Sequence, residues 1–411
     1  GDSSTRAFDA QSASKLYVRV EKEHSWVLVG DFNTEFAAAS GVKPTLSAYN
    51  RAVTGAATHL ERGNLALDAF VLRDRTRQQV VEFAPNGTSG PYPLPAGNIV
   101  ANSERVELVV RDRQNQQVVL RSTALTRFDD YELEELSGRI LFKSPVWSFD
   151  ADGNPVFVRV TFEVDTDQPA FTTAGAQVTA RVGERTSVAG RMVREDDPAA
   201  PYTLQGAVVQ TQLAPGLQAT AEIARSGRGG LEAASGTGAR VEVKGTAGPV
   251  ELAAVVTRTS EGFENPSSGV MPGRLDATAG ASLRISDSLK AVAKLGEGRD
   301  AVSEAQQATA YAGVEATPMP GLLVEAGVRK LHDTGATAAV GGTAETDVTT
   351  LRGKVSLQPR KLPELTVFAE AEQALEDSSR RLLAGGVSYQ IGAGTKLYGR
   401  HEFVNTLPVL S

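Results

Sequence analysis

Between about Gln177 and Phe403 the chain alternates apolar and polar residues in runs of roughly nine to eleven positions, the length a tilted strand needs to cross a bilayer. A period of two puts every second side chain on one face. In Leu217-Gln218-Ala219-Thr220-Ala221-Glu222-Ile223-Ala224-Arg225, as in Leu323-Val324-Glu325-Ala326-Gly327-Val328-Arg329, the pattern predicts strands. Short turns are predicted at Ala214-Pro215-Gly216, Gly245-Thr246-Ala247-Gly248, Ser286-Asp287-Ser288, Pro318-Met319-Pro320-Gly321, Pro359-Arg360 and Gly392-Ala393-Gly394. Longer connections fall at 225–237, 259–273, 298–306 and 332–345. Short and long connections taking turns predict a meander of about fourteen strands after Gln177.

One face of these strands carries Val, Leu, Ala and Ile, the other Thr, Gln, Glu, Arg and Gly. In a soluble sandwich the apolar face turns in to a core; in a membrane barrel it turns out to lipid. A sandwich would vary its connections to make Greek-key crossings, so the regular meander favours an all-β, up-and-down antiparallel transmembrane β-barrel. Two features weigh for a soluble module instead. Aromatic residues are only 6% of the chain, where barrel interfaces are usually girdled with them. Many apolar positions are also alanine.

The first part reads as barrel hairpins over 1–77. Val18 and Val20 alternate with Tyr17, Arg19 and Glu21, and a second hairpin is predicted from 46–55 to 65–73, with Glu61-Arg62-Gly63 between. The stretch 78–165 is different, with irregular spacing and the Pro91-Tyr92-Pro93-Leu94-Pro95 turn. It is too long for a loop without structure of its own and is expected to be a small inserted β domain, plug or cap. Barrel hairpins resume over 166–411. The chain opens at Gly1-Asp2-Ser3-Ser4 and runs out after Thr406-Leu407-Pro408-Val409-Leu410-Ser411, so a piece of a longer chain, truncated at its C-terminal end, is expected.

No apolar run reaches the roughly 18 residues of a spanning helix, which leaves strands as the means of crossing a membrane. The net charge of −7 and the lack of a basic stripe argue against nucleic acid. Without cysteine there are no disulfides, thiolate metal sites or cysteine nucleophiles.

The N-terminal third resembles large bacterial outer-membrane surface proteins that carry immunoglobulin-like repeats ahead of a barrel. The resemblance rests on Gly30-Asp31-Phe32-Asn33-Thr34, on Leu46-Ser47-Ala48-Tyr49-Asn50-Arg51 and on Ser103-Glu104-Arg105-Val106-Glu107-Leu108. Asp130-Tyr131-Glu132-Leu133, Ser137-Gly138-Arg139-Ile140-Leu141-Phe142 and Asn154-Pro155-Val156-Phe157 carry it further. More distantly these phrases are similar to parts of the type 9 secretion translocon barrel. The resemblance covers about residues 1–164 and implies an outer-membrane location and a role in surface display, adhesion or export. It implies no catalytic residues.

Candidate chemistry is sparse. Asp150, Asp152 and Asn154 are similar to the start of a calcium loop, but the distal Glu and helical frame are missing, and Asp-Gly and Gly-Asn are also turn chemistry. The acidic run Asp129, Asp130, Glu132, Glu134 and Glu135 reads as a solvated face. His24, His59, His332 and His401 form no zinc-ligand spacing; His24 and His332 are expected in turns or loops, His401 facing the lumen. No Gly-x-Ser-x-Gly elbow is present, and the glycines at 227–230 and 235–238 lack the Lys-Ser or Lys-Thr of a phosphate loop. Basic side chains recur on nearly every strand, and Arg225, Arg258, Arg284, Arg329 and Arg400 are expected to line the lumen. The expectation is thus an outer-membrane barrel without enzyme activity or cofactor. It would act as surface scaffold, adhesin anchor, or export or diffusion channel, with lipid and other envelope proteins as partners. The alternative is a soluble periplasmic or extracellular β-rich binding module.

Overall fold

The computed structural model describes residues 17–35, 42–113, 119–150, 153–166, 169–231, 233–334, 346–391 and 395–405. Four strands come first: β1 (Tyr17–Lys22), β2 (Ser25–Asn33), β3 (Ala52–Arg62) and β4 (Leu65–Asp74). Seven more follow: β5 (Thr76–Phe83), β6 (Tyr92–Pro93), β7 (Arg105–Arg111), β8 (Val119–Ala124), β9 (Tyr131–Glu134), β10 (Arg139–Phe142) and β11 (Val156–Asp165). Then come β12 (Phe171–Val182), β13 (Thr186–Glu195), β14 (Tyr202–Ala214), β15 (Leu217–Arg228), β16 (Ala234–Ala247), β17 (Val250–Thr259) and β18 (Arg274–Ser286). The last are β19 (Leu289–Asp300), β20 (Gln306–Met319), β21 (Leu322–Asp333), β22 (Thr346–Leu357), β23 (Leu365–Ala374), β24 (Arg381–Ile391) and β25 (Thr395–Asn405).

β1 to β4 and β12 to β25 form one antiparallel sheet of 18 strands, each hydrogen-bonded to the next in the chain. The two blocks meet at a β4–β12 ladder, with Gln177 opposite Asp68 and Phe171 opposite Asp74. Among the described residues no ladder joins β1 to β25, so these are the edges of the sheet. Fourteen strands from Phe171 onward, joined as a meander, are what the alternation predicts.

The polarity of the two faces is the reverse of a soluble sheet. Along β12, Thr173, Gln177 and Thr179 are buried, while Ala174, Ala176 and Val178 between them are exposed. β15 repeats this, with Glu222 and Ser226 buried and Ile223 64% exposed. Val18, Val71, Met192, Val256, Leu295, Val328 and Leu383 continue the exposed aliphatic face around the sheet. A sandwich buries its aliphatic face; a barrel wall turns it out to lipid and keeps polar groups within. Sequence alternation gives the two faces, and burial decides which is which.

Between β4 and β12 the chain leaves the wall and builds two smaller sheets, ordered β5-β11-β7-β8 and β6-β10-β9. Here the polarity is that of a soluble protein. Val158, Val160 and Phe162 of β11 are fully buried with Val106, Ile140 and Phe142 in one apolar cluster. This insert has its own core, held by the hydrophobic effect, while the wall beside it has a polar interior.

Three boundaries differ from expectation. The stretch predicted as a strand over 46–50 is instead a buried irregular segment, and β3 begins only at Ala52. The long connection expected at 225–237 shrinks to 229–233, because Ser226, Gly227, Ser235 and Thr237 extend the β15–β16 ladder past the apolar band. His332 likewise lies within β21, paired across from Asp347, and not in a loop. Polar residues near strand ends read as loop, although their backbones still pair.

A candidate pore filled from within

The insert lies against the polar face of the wall. Arg113 beyond β7 sends Nη2 to Glu370 Oε1 of β23 at 3.1 Å. Glu370 also accepts from Arg352 Nε at 2.8 Å, and Arg400 Nη2 stands 3.6 Å away. On the same face Glu372 binds Arg329 and Thr350, and Glu325 meets Arg352 at 3.3 Å. Two residues apart on one strand, Glu370 and Glu372 share the inner face, and β21, β22 and β25 bring Arg329, Arg352 and Arg400 beside them. The Trp147 ring meets Tyr398 edge-on at 6.2 Å. Gly153, at φ 78°, turns against Arg400, where a Cβ would stand 3.2 Å from the guanidinium.

The opposite flank of the insert is anchored through Arg51, whose side chain is fully buried. Its guanidinium grips Glu163 of β11 with Nε and Nη2 at 2.7 and 2.6 Å. Nη2 also donates to Asp74 Oδ2 at 3.0 Å and Thr76 Oγ1 at 2.7 Å. Tyr49 Oη donates to Glu195 Oε1 at 2.6 Å, and burial pushes the phenol well above its ordinary range, so it remains a donor. A buried arginine is tolerated here because carboxylates and hydroxyls meet its donors. One side chain therefore ties together the segment 42–51, the insert and the wall at β4 and β13.

Segment 42–51 is itself held by the wall. Glu222 accepts backbone N–H bonds from Thr45, Leu46 and Ser47 at 2.7, 3.0 and 2.8 Å, and the Ser47 hydroxyl at 2.7 Å. Arg191 Nη1 donates to Ser47 O at 2.8 Å, and Asn265 Nδ2 to Leu46 O and Ala48 O at 2.6 and 2.8 Å. The close approach requires Gly206 on β14, where a Cβ would fall 2.4 Å from Ser47. A buried backbone without strand partners needs such acceptors and donors, which explains why this segment is irregular yet ordered against the wall. The insert also touches this side through Arg77 and Asp197 at 2.5 Å. The insert reaches Asp197 beyond β13 on one flank and β23 and β25 on the other, and segment 42–51 reaches β15, so the wall curves around both.

The candidate residues separate into two groups. Arg329 and Arg400 lie on the inner face as described, and Arg284 shares the inner parity of β18, since its neighbours Leu283 and Ile285 are exposed aliphatics. Arg225 and Arg258 do not face the lumen. Arg225 alternates with buried Glu222 and Ser226 and stands with Ile223; Arg258 lies between buried Thr257 and Thr259 and stands with Val256. Both are near the ends of their strands, where an outward cation can leave the apolar band, and charge alone had assigned them inward. His401 is corrected for the same reason: it shares the face of Phe403, opposite Arg400 and Glu402.

His59 is buried, its Nδ1 2.6 Å from Asp68 Oδ1 and its ring stacked on Trp26. His24 sits at the β1–β2 turn. At the calcium-like stretch, both Asp150 carboxylate oxygens accept from Asn154, at 2.9 Å from its N–H and 3.2 Å from Nδ2; Asp152 lies outside the described residues. Among the described residues no group of three or more His, Asp or Glu is placed to hold a metal ion. In the acidic run, Glu132 pairs with Lys143, Asp130 accepts from Thr126 N at 2.7 Å, Glu134 accepts from Ser137 at 2.5 Å and Glu135 meets Arg127 at 2.5 Å. Arg51, Arg113 and Glu163 were missed by sequence reasoning, since their partners are distant in the chain.

No family model matches the chain, and no curated protein does. Solved structures resemble it distantly. The P pilus usher PapC translocation pore aligns at TM-score 0.42 and 12% identity, over 95% of this chain and 76% of that one. A BenF-like porin from Pseudomonas fluorescens Pf-5 gives 0.34 and 10%, over 94% and 89%. The FrpB iron transporter from Neisseria meningitidis gives 0.33 and 8%, over 92% and 72%. The strand ladders and the polarity of the two faces, rather than these likenesses, carry the fold.

Proposed function

We propose that this chain is the wall and plug of a bacterial outer-membrane channel, with the insert as the movable element. The observation that carries the reading is the pairing of an aliphatic outer face with a polar inner face on which the insert is docked by ion pairs. Ionic and hydrogen-bonded contacts in a wet lumen can be exchanged for water, whereas an apolar interface would resist release. The insert keeps its own apolar core, so its flank on β23 and β25 can swing from the wall without unfolding while the buried Arg51 anchor holds the other. The same wall would serve as surface scaffold or adhesin anchor if the insert never moves, and as an export or diffusion path if it does. Among the described residues the inner-face carboxylates and arginines are engaged in ion pairs with one another, and the role proposed is one of passage or display rather than catalysis.

The test is single-channel conductance of the purified chain in planar bilayers, alongside Arg113→Ala. A detergent-extracted chain that inserts, with low conductance rising in the variant, supports a plugged channel. A chain soluble in buffer that never inserts overturns it and favours the soluble module. Insertion with equal, permanently low conductance in both proteins overturns the channel role and leaves the scaffold.

A further inference from the structure

Resting on the membrane reading above, we infer that the outward face of β12 to β19 carries a binding groove for one phosphorylated lipid, with Arg225 and Arg258 as its phosphate ligands. Two independent observations meet there. The first is a groove of about 1730 Å³ on the outer side of the wall, bounded by the long connections after β17 and β19. Its apolar part is lined by Val178, Met192 and Ile223, all exposed. Alanines and Gly190 between them keep the floor low.

The second is charge. Arg225 and Arg258 line the end of this groove toward the long connections. Neither has a carboxylate or side-chain hydrogen-bond partner among the described residues. Ladder register fixes their arrangement. Arg258 stands opposite Leu275, which stands opposite Arg299, so these cations share one row two strands apart, about 10 Å. Arg299 already pairs with Glu297 at 2.6 Å. Arg225 stands opposite Thr237, one pleat repeat nearer the long connections than Ala239, which is opposite Arg258.

An outward arginine on a barrel is costly at the bilayer midplane and much less so at the interface. Placed at the interface without a protein anion, it retains full charge toward a lipid phosphate, which a guanidinium binds with two parallel bonds. The acyl chains then run along the aliphatic part of the same groove. Glu261 and Glu304 line the loop side and confine the phosphate to the arginines. A protein partner would need apolar anchors at the rim, where this groove presents charge.

The test uses the full chain in non-ionic detergent, titrated with dioleoylphosphatidic acid or dioleoylglycerol and read by native mass spectrometry. Two variants accompany it: Arg225→Gln with Arg258→Gln, and Gly190→Leu, where an added Cβ meets nothing within 4 Å. One phosphatidic acid is expected to bind, at least about tenfold more tightly than dioleoylglycerol, with either variant losing about tenfold. Millimolar inorganic phosphate should leave it bound. Unchanged affinity in the double variant, equal binding of dioleoylglycerol, unchanged affinity in Gly190→Leu, or displacement by inorganic phosphate each overturns the groove. All proteins are also scored for insertion into liposomes. A wild type that fails to insert overturns the membrane reading itself, whereas one that inserts but fails these titrations overturns only the lipid site.

Discussion

Arg113 Nη2 lies 3.1 Å from Glu370 Oε1, although 257 residues separate them in the chain. The first residue belongs to the connection after β7 and the second to the inner face of β23. Their contact is a side-chain bond between insert and wall on that flank, and it is shared: Glu370 also holds Arg352 and faces Arg400. The two ends of the pair therefore differ in what they support.

Arg113→Ala should free that flank of the insert while Glu370 keeps its two wall arginines. The expected outcome is a rise in conductance with an unchanged temperature for the heat-induced shift in gel mobility. Glu370→Gln removes the carboxylate that three guanidiniums share, and breaking a buried ion pair from one side costs about 3–5 kcal/mol, less where lumen water reaches it. It should raise conductance and lower that temperature together. Conductance unchanged in both variants would show that the contact does not hold the insert.

Arg51 is the stronger anchor. Arg51→Met leaves Glu163 and Asp74 facing each other without their cation, and about 3–5 kcal/mol should be lost from the unfolding free energy. Arg51→Lys keeps the charge but not the two-pronged grip on Glu163 and should recover only part of that loss. Urea unfolding in detergent, followed by tryptophan fluorescence, measures both; a full recovery in Arg51→Lys would mean that charge alone matters.

Much of this fold was legible in the chain because a barrel wall is local: each strand pairs with its neighbour in sequence, and period-two alternation marks it. Val178, Ile223 and Val256 stand out as one face without any knowledge of the rest. Alternation alone is symmetric between the two directions; the regular meander favoured the aliphatic face outward, and burial bears this out. Arg225 and Arg258 were placed in the lumen by charge alone, although each shares the face of an aliphatic neighbour, Ile223 or Val256. The Arg51 knot was hidden for another reason. Its ligands Asp74, Glu163 and Glu195 are dispersed over more than a hundred residues, and no spacing rule links them. The segment 46–50 looks strand-like because it mixes Leu and Tyr with polar residues, but it is an irregular backbone satisfied by Glu222 and Asn265.

Acid should loosen one corner of the insert in a defined direction. The hydrogen bond from Arg127 holds the Glu135 carboxyl below its ordinary value of 4.5. A carboxyl depressed on folding stabilises the fold above its unfolded pKa, and that contribution is lost as pH falls through the folded value. Glu104, on the same arginine, is pushed up by burial and acts with the opposite sign. Below about pH 4.5, amides around 126–142 should exchange faster in the wild type than neutral-pH protection predicts. Glu135→Gln should flatten this acid-side loss, and Glu104→Gln should steepen it. Hydrogen exchange at several pH values, corrected for intrinsic rates, reads the slopes; identical slopes in all three proteins would refute the assignment.

The exposed aliphatic face makes the sharpest distinction between a wall in lipid and a sheet in water. Ile223 lies mid-strand on β15 and is 64% exposed. In water, Ile223→Arg would be harmless or would improve solubility, since nothing is packed on the side chain. In a bilayer the same change costs up to roughly 2–4 kcal/mol at the midplane and less toward the interface, where Arg225 stands two residues further along the strand. Ser282→Arg on β18 is the matched control: it has inner-face parity, and Glu251 stands opposite to receive the charge. Folding into liposomes, followed by gel mobility without boiling, should show a lower folded fraction or lower unfolding midpoint for Ile223→Arg and little change for Ser282→Arg. Equal effects from both would mean that the two faces meet the same solvent, and the barrel wall would have to be given up for a soluble sheet.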